Sequence, residues 1–256
     1  ATAALVGIVI LGGIQRIGKA SEIIVPFMAI GYIAICIIVL SRFGSRILPA
    51  FCDIFSSALG IKQAVGGAAG FGAARALRIG TARGVYSNEA GVGSAPMAHA
   101  CANTNDPVKQ GMYGIFEVFA DTIVMCTMTA LVVLASGIPL QACGEISGTS
   151  IALRAFSTVL PERTTGIFLA VSMLLFAYTS LLGWAVYGMQ CAKYLFGKRA
   201  QLPFCILYTV LTFAGALMKV DFVWTAGETL NYLMAAPNML ALLVLNREVR
   251  RETAFA

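Results

Sequence analysis

Hydrophobic residues along this chain are grouped in long runs, and the charged residues lie mostly in the short stretches between them. A helix needs about 20 apolar residues to cross the hydrocarbon core of a bilayer. The pattern therefore predicts an all-α membrane protein, with residues 1–256 forming a single transmembrane domain. The expected elements are one partial helix and five full spans, at about 1–14, 22–41, 108–136, 166–190, 202–217 and 223–246.

One segment departs from this pattern, because the apolar run at about 50–88 contains the glycine-rich stretch Gly66–Gly72. Glycine costs about 1 kcal/mol relative to alanine inside a helix, so this stretch favours unwinding. The sequence predicts a single interrupted crossing, with a helix that resumes at Ala73. Unwound backbone at membrane depth has to be buried in protein or line a cavity, which makes the segment a candidate substrate site. The alternative is close helix packing, since Gly66 and Gly70 have the Gly-x-x-x-Gly spacing.

Charged residues make up 12% of the chain, about half the ~25% of a soluble domain. A net charge of +6 would suit a nucleic-acid partner, but the basic residues lie at the ends of apolar runs, where they act as orientation signals. If the helices cross alternately, 12 of the 18 lysines and arginines lie on one side and five on the other, with Lys62 beside the break. The positive-inside rule then predicts a multi-pass inner (cytoplasmic) membrane protein with a cytoplasmic carboxyl terminus and no nucleic-acid partner.

Two acidic residues lie well inside the span at 108–136. Glu117 and Asp121 lie about 10 and 16 Å from Gln110, at about 1.5 Å per residue, and their i,i+4 spacing places them on one helical face. A charged side chain at the centre of a transmembrane helix costs about 2.5–3.5 kcal/mol, so each should face a cavity or a partner. They are candidates for a cation or proton site. The alternative is a structural acceptor for hydroxyls, amides or an arginine.

Thr179 and Ser180 bring adjacent hydroxyls to the middle of the span at 166–190. With the main-chain carbonyl of Phe176, they offer the hard oxygen ligands that suit sodium. The alternative is that each hydroxyl donates to a carbonyl one turn earlier, as hydroxyls inside helices commonly do. Trp184 lies one turn further along, where it either walls a small pocket or faces lipid.

Residues suited to catalysis are scarce. His99 is the only histidine, and no Gly-x-Ser-x-Gly motif accompanies it, so we expect a structural histidine and no enzyme. The seven cysteines are far apart and form no Cys-x-x-Cys pair, which argues against a disulfide or a bound metal. Ser87-Asn88-Glu89 has the composition of a helix cap and is predicted to cap the helix that follows.

Several segments resemble the sodium:alanine/glycine symporter family: Ala82–Ala100, Ile10–Ile17, Phe119–Thr122, Leu182–Trp184 and Asn231–Asn238. The first, with the sequence ARGVYSNEAGVGSAPMAHA, is highly specific, and the likeness extends over nearly the whole chain. The family is similar in fold to the leucine transporter, which has ten core helices in two inverted repeats, with broken first and sixth helices. The resemblance implies a partial inverted-repeat helix bundle of this type, from the end of core helix four to core helix ten.

The resemblance also assigns a sodium site. Phe176, Thr179 and Ser180 fall where the eighth core helix supplies sodium ligands in this fold. The first core helix, which supplies the other ligands and much of the amino-acid site, has no counterpart here, and neither have core helices two and three. Since the chain begins inside a hydrophobic run without a methionine, we expect a carboxy-terminal fragment whose partners include the missing amino-terminal helices.

The implied function is symport of a small neutral amino acid, alanine or glycine, with sodium as the co-transported ion. Membrane lipid is the remaining expected partner. A non-transporting membrane scaffold or a channel subunit is the alternative. The implied substrate-binding residues are Gly66, Gly67, Gly70, Phe71 and Trp184, and Asp121 matches an acidic position of the family.

Overall fold

A computed structural model of the protein describes residues 2–58, 67–89, 91–138 and 148–254, with the backbone alone for 67–76. These residues form α-helices, one π-helical segment and one 3-10 turn, and they contain no strand. The π-helical segment is Phe119–Cys126, and the 3-10 turn is Lys198–Ala200. The α-helices are α1 (Thr2–Ile10), α2 (Ile14–Arg42), α3 (Gly44–Ala58), α4 (Gly67–Asn88), α5 (Ala95–His99), α6 (Pro107–Val118), α7 (Thr127–Ala135), α8 (Gly148–Ser157), α9 (Glu162–Phe196), α10 (Gln201–Gly215) and α11 (Val220–Ala254).

Four helices in the described part of the chain are long and apolar enough to cross a membrane. They are α2, the continuous helix Pro107–Ala135 that includes the π-helical segment, α9 and α11. Their large apolar side chains are widely exposed, such as Phe27 and Leu243, as expected for surfaces that lipid covers. The prediction of an all-α membrane protein is confirmed. The helix α10 has 15 residues and is about 22 Å long, which is shorter than the ~30 Å hydrocarbon core.

From Gly67 onward, the glycine-rich stretch is helical. Gly67, Gly70 and Phe71 lie in the first two turns of α4, so the unwinding predicted at these positions is wrong. The physical reason is that alanines at 68, 69, 73 and 74 accompany the glycines. Alanine is the strongest helix former, which offsets the cost of about 1 kcal/mol per glycine. Gly66, and any interruption within 59–66, lies outside the described residues.

The helices form two compact units. The first unit comprises Ala1–Val25, Val85–Val118 and Ala177–Ala256. In its core, Val6 and Ile10 of α1 pack with Leu182 and Met189 of α9 and with Cys205 of α10. The helices α1 and α10 approach closely because α1 has a glycine, Gly7, beside Thr209. This core fixes the position of α9, which carries Trp184.

The second unit comprises Pro26–Gly84 and Phe119–Phe176. Residues of α2, α3, α7, α8 and α9 share its core, in which Phe156 is fully buried. The ring of Tyr32 lies among three phenylalanine rings, those of Phe156, Phe168 and Phe176, with centroids 6.2, 6.0 and 5.8 Å away. Its hydroxyl lies 2.8 Å from the hydroxyl of Thr129 on α7. This contact links α2 to the helix that contains the π-helical segment.

Candidate functional site

A tight turn after α4 places an acidic side chain against α9. Glu89 has a φ of +56°, an uncommon conformation for a residue other than glycine. The hydroxyl of Ser94 donates to the carboxylate of Glu89 at 2.5 Å. Ser87 and Asn88 are the last residues of α4, so the prediction that they cap the following helix is wrong. Held in a sparsely populated conformation, Glu89 is fixed by its surroundings and not by local preference.

Two residues of α9 also donate to the Glu89 carboxylate, namely Tyr187 and Trp184. Ser94 is fully buried, and Glu89 is half-buried. Burial raises the pKa of Glu89, the hydrogen bond from Ser94 acts in the opposite direction, and the charge of Glu117 raises the pKa further. A carboxylate with three donors is thus held between the turn and α9, with its indole partner fixed in orientation.

Replacing Glu89 with glutamine should change the pH dependence of stability. The pKa of Glu89 is raised above its ordinary value of 4.5 in the folded protein. Its stabilising contribution is therefore complete below pH 4.5 and is lost as the pH rises through the folded-state pKa. As the pH rises from 4 to 8, Glu89→Gln should become more stable relative to the wild-type protein, by at most about 1.4 kcal/mol per pH unit. Thermal unfolding of both proteins in detergent at each pH measures the difference. A difference that stays constant across this range would contradict the prediction.

The helix α11 holds the other side of the turn. The side-chain amide of Asn238 donates to the main-chain carbonyl of Gly91 at 3.0 Å. About three helical turns before Asn238, Gly227 allows the Tyr86 hydroxyl to approach, since a Cβ at this position would lie 3.3 Å from that oxygen. The Tyr86 ring also contacts Trp224, with centroids 5.3 Å apart. The end of α4 and the turn are therefore packed along one face of α11.

A cavity of about 610 Å³ lies between these elements of the first unit. Its walls are mostly apolar, with polar groups from Tyr86, Trp184 and Asn231. Small-molecule sites are typically concave and apolar with a few polar groups, and have volumes of about 300–1,000 Å³. Asn231 is 4% exposed, although it lies within a helix long enough to cross a membrane. The cavity has the size and composition of a binding site.

A second cavity, of about 250 Å³, lies within the second unit. Asp121 lines it together with the hydroxyl-bearing residues Tyr32, Thr129 and Ser172. Asp121 belongs to the π-helical segment, and π-helical turns are rare and frequent at functional sites. The carboxylate thus faces a cavity with several neutral oxygens, which suits a cation or a proton.

The residues predicted to bind sodium follow one another on α9. Phe176 lines the cavity that contains Asp121. Thr179 is half-buried, and Ser180 is exposed. The helix is continuous through all three residues.

Glu117, the other predicted ionisable cavity residue, lies at neither cavity. Its carboxylate is 3.4 Å from Nε2 of His99, and its side chain is 68% exposed. The other ring nitrogen of His99, Nδ1, is 2.7 Å from the side-chain amide of Gln110. His99 therefore connects α5 to α6, which is a structural arrangement.

The predicted substrate residues lie in different parts of the chain. Trp184 lines the cavity of the first unit. Gly67, Gly70 and Phe71 belong to the second unit, and Gly66 lies outside the described residues. For Phe71, the described position is that of the backbone within α4.

A sequence profile described as the sodium:alanine symporter family matches residues 1–254. The chain belongs to the sodium:alanine symporter family. It is 41% identical to the sodium/alanine symporter AgcS of Methanococcus maripaludis, over 96% of this chain and 53% of that protein. It is 38% identical to an uncharacterized transporter of Haemophilus influenzae, over 97% of this chain and 54% of the relative. It is also 36% identical to the probable sodium/glutamine symporter GlnT of Bacillus subtilis, over 96% of this chain and 50% of the relative.

Membership of the sodium:alanine symporter family confirms the resemblance seen in the sequence. The family is one of transporters and not of enzymes. The chain spans about half the length of the curated relatives it matches.

Sequence reasoning missed two residues of the candidate site, Glu89 and Asn231. Both are polar residues in a chain with few of them, and Asn231 interrupts an apolar helix. An intramembrane polar residue that avoids lipid is a signal for a cavity or a partner. Applied to Asn231, this signal predicts a residue that lines a cavity or contacts a partner. Glu89 resembled a cap residue in sequence, and its bonds to α9 depend on a turn conformation that the local sequence does not specify.

Proposed function

We propose that the protein is a sodium-coupled symporter of a small neutral amino acid, alanine or glycine. The observation that carries this proposal is the family match over residues 1–254. One relative is named a sodium/alanine symporter and another a probable sodium/glutamine symporter, so glutamine is a necessary competitor in any assay of substrate choice. The cavities beside Trp184 and Asp121 support the proposal, because transport requires polar sites among membrane helices.

Sodium is the proposed co-transported ion, bound by the carbonyl of Phe176 and the hydroxyls of Thr179 and Ser180. These are neutral oxygen atoms, which suit a hard monovalent cation. Asp121 is a second candidate for cation or proton binding, because it lines a cavity next to Phe176. The remaining ligands of the ion would come from amino-terminal helices of the same protein.

The proposed substrate-binding residues are Gly66, Gly67, Gly70, Phe71 and Trp184. Short side chains leave room for a small ligand next to the main chain. The indole of Trp184, fixed by its hydrogen bond to Glu89, offers a rigid wall. Binding of sodium would favour the outward-open state and order the site for the amino acid. Rocking of the helix bundle would then release both to the cytoplasm.

The proposed location is the inner (cytoplasmic) membrane, with the carboxyl terminus in the cytoplasm. Support comes from the four apolar helices and from the excess of lysine and arginine on one side of the predicted crossings.

Uptake into proteoliposomes tests the function. The protein made from the complete reading frame should accumulate alanine when a sodium gradient points inward, and should not do so when potassium replaces sodium. Unlabelled glycine and glutamine, added separately, report the substrate range. A scaffold would give no uptake, and a channel would give flux that a sodium gradient does not drive. Either result would reject symport.

Removing the proposed sodium ligands should weaken sodium binding. Thr179→Val and Ser180→Ala each remove one hydroxyl from α9. The sodium concentration that gives half-maximal alanine uptake should rise about tenfold for each, since tenfold corresponds to about 1.4 kcal/mol, within the range for a hydrogen-bonding or ligating oxygen near a charge. Thr164→Val, the same kind of change at an exposed position of α9, is the matched control. An unchanged sodium dependence in both variants would remove them from the sodium site.

A further inference from the structure

We propose that Asn231 is a substrate-binding residue whose side-chain amide donates a hydrogen bond to the carboxylate of the transported amino acid. The inference rests on the proposed function and adds a residue of α11 to a site assigned so far to other helices. It is carried by the cavity of about 610 Å³ in the first unit, which Asn231 lines together with Trp184.

Asn231 has a buried donor without an acceptor. The residue is 4% exposed, and its Nδ2 finds no hydrogen-bond partner among the residues that the structure describes. A buried polar group left unpaired destabilises the folded protein, and native proteins rarely keep one without a reason. Since Asn231 lines the cavity, an acceptor that occupies the cavity would complete its hydrogen bonding.

The helix α11 also has a main-chain carbonyl, that of Leu233, that lacks its i+4 hydrogen bond. Pro237 lies inside α11 and has no amide hydrogen, so it cannot donate to the carbonyl of Leu233 one turn earlier. Leu233 and Pro237 both line the cavity. An unpaired side-chain donor at Asn231 and a main-chain acceptor freed by Pro237 on the same helix suit a ligand that carries both an acceptor and a donor. A zwitterionic amino acid, with its carboxylate and its ammonium group, has this pattern.

The position and charge of the cavity fit the same ligand. Asn231 lies about 12 Å from the start of the apolar run at 223, at about 1.5 Å per residue, well inside the hydrocarbon core of about 30 Å. Binding sites of secondary transporters lie near the bilayer midplane. The lining residues carry no formal charge among those described, so a carboxylate there has to be held by neutral donors, and the Asn231 amide is one without a partner in the described structure. Because Trp184 is held by Glu89, one wall of the cavity is fixed before the ligand arrives.

Alanine binding in the presence of sodium tests this assignment, using the protein made from its complete reading frame. Asn231→Asp keeps the shape of the side chain and replaces the donor with a carboxylate. Its Kd for alanine should rise by about 100-fold, because two carboxylates would face each other. Asn231→Leu should raise the Kd by about tenfold, the loss of one hydrogen bond to a charged group. The same substitutions at Asn246, which is exposed on α11, are the matched controls and should leave the Kd unchanged.

A change in the ligand identifies the group that Asn231 contacts. Alaninamide has a neutral amide in place of the carboxylate, so Asn231→Asp should weaken its binding much less than it weakens alanine binding. If both ligands lose affinity equally, Asn231 does not contact the carboxylate and the inference is wrong.

Stability separates the ligand from a protein partner. If an amino-terminal segment of the longer protein accepts the Asn231 hydrogen bond, Asn231→Leu should lower the thermal midpoint without alanine and leave the Kd unchanged, which would overturn the inference. If the cavity is filled only by substrate, Asn231→Leu should leave that midpoint unchanged or raise it, because it removes an unpaired donor. Should Asn231→Asp fail to fold, Asn231→Leu decides the question alone. A wild-type protein that binds no small amino acid in sodium would reject the proposed function itself, whereas equal binding by wild type and variants would reject only the role of Asn231.

Discussion

Replacing Gly188 with alanine should lower the free energy of unfolding by about 1–3 kcal/mol, the usual effect of overpacking a well-packed contact. Gly188 lies on α9 where the ring of Phe204 on α10 packs directly onto the helix. A Cβ at this position would overlap Cζ of Phe204 and lie 2.8 Å from its Cε2. The ring would have to leave its place between the two helices, beside the core of the first unit.

Gly183→Ala is the matched control for this prediction. Gly183 is on the same helix, and a Cβ there would meet no atom within 4 Å. The substitution should be neutral or stabilising by up to about 1 kcal/mol, because alanine favours the helix. Thermal unfolding in detergent measures both variants. Adding Phe204→Leu to Gly188→Ala should recover part of the loss, and equal midpoints for the two alanine variants would show that the Phe204 contact is unimportant.

The membrane helices are predictable from sequence because hydropathy reports the solvent around them. The runs at 22–41, 166–190 and 223–246 each fall inside a longer helix, α2, α9 or α11. The helices extend past the apolar runs because hydropathy marks only the part in hydrocarbon. In α9, for example, the structure adds a turn with Glu162 at one end and a turn that follows Lys193 at the other. Charged residues end an apolar run without ending the helix.

Features that depend on competing local preferences are less predictable. Glycine content suggested unwinding at 66–72, whereas the described part of that stretch is helical, because helix propensity is a weak preference that neighbouring alanines and packing override. The π-helical segment containing Asp121 has no recognisable signal in its sequence. Its presence matters for the candidate site, since it is the element that carries Asp121 to the cavity with Tyr32 and Thr129.

The residues of the candidate site that sequence reasoning missed depend on contacts between distant segments. The sequence predicts Trp184 as a site residue from its position beside Thr179 and Ser180 and from the resemblance. Glu89 and Asn231 were not predicted, because their roles depend on such contacts. Glu89 is bonded by residues of α9 nearly one hundred positions further along the chain, and Asn231 of α11 shares its cavity with Trp184 of α9. Hydropathy and periodicity describe one helix at a time and do not report which helices meet.

Gly93→Ala, in the turn between α4 and α5, should lower the free energy of unfolding by about 2–5 kcal/mol, the sum of two separate costs. Gly93 has a φ of +90°. A side chain in such a conformation costs about 1–2 kcal/mol. In addition, a Cβ would lie 2.9 Å from Cγ of Asn238, and relieving such overlap costs about 1–3 kcal/mol.

A double-mutant cycle with Asn238→Ala separates these two causes. Gly91→Ala, with a φ of +81° and only an ordinary 3.5 Å contact to Met239, should show the conformational cost alone. Asn238→Ala alone should cost about 0.5–1.5 kcal/mol through loss of its bond to the Gly91 carbonyl. In Gly93→Ala/Asn238→Ala the overlap with Cγ and Oδ1 of Asn238 is gone and only a 3.1 Å approach to Cβ is left. The loss in the double variant should therefore be smaller than the sum of the two single losses by about 0.5–3 kcal/mol. Additive losses would mean that α11 does not press on the turn. The same turn holds Glu89 against Trp184. A coupled loss would therefore also show that packing of α11, the helix that carries Asn231, helps to hold the contact between Glu89 and Trp184.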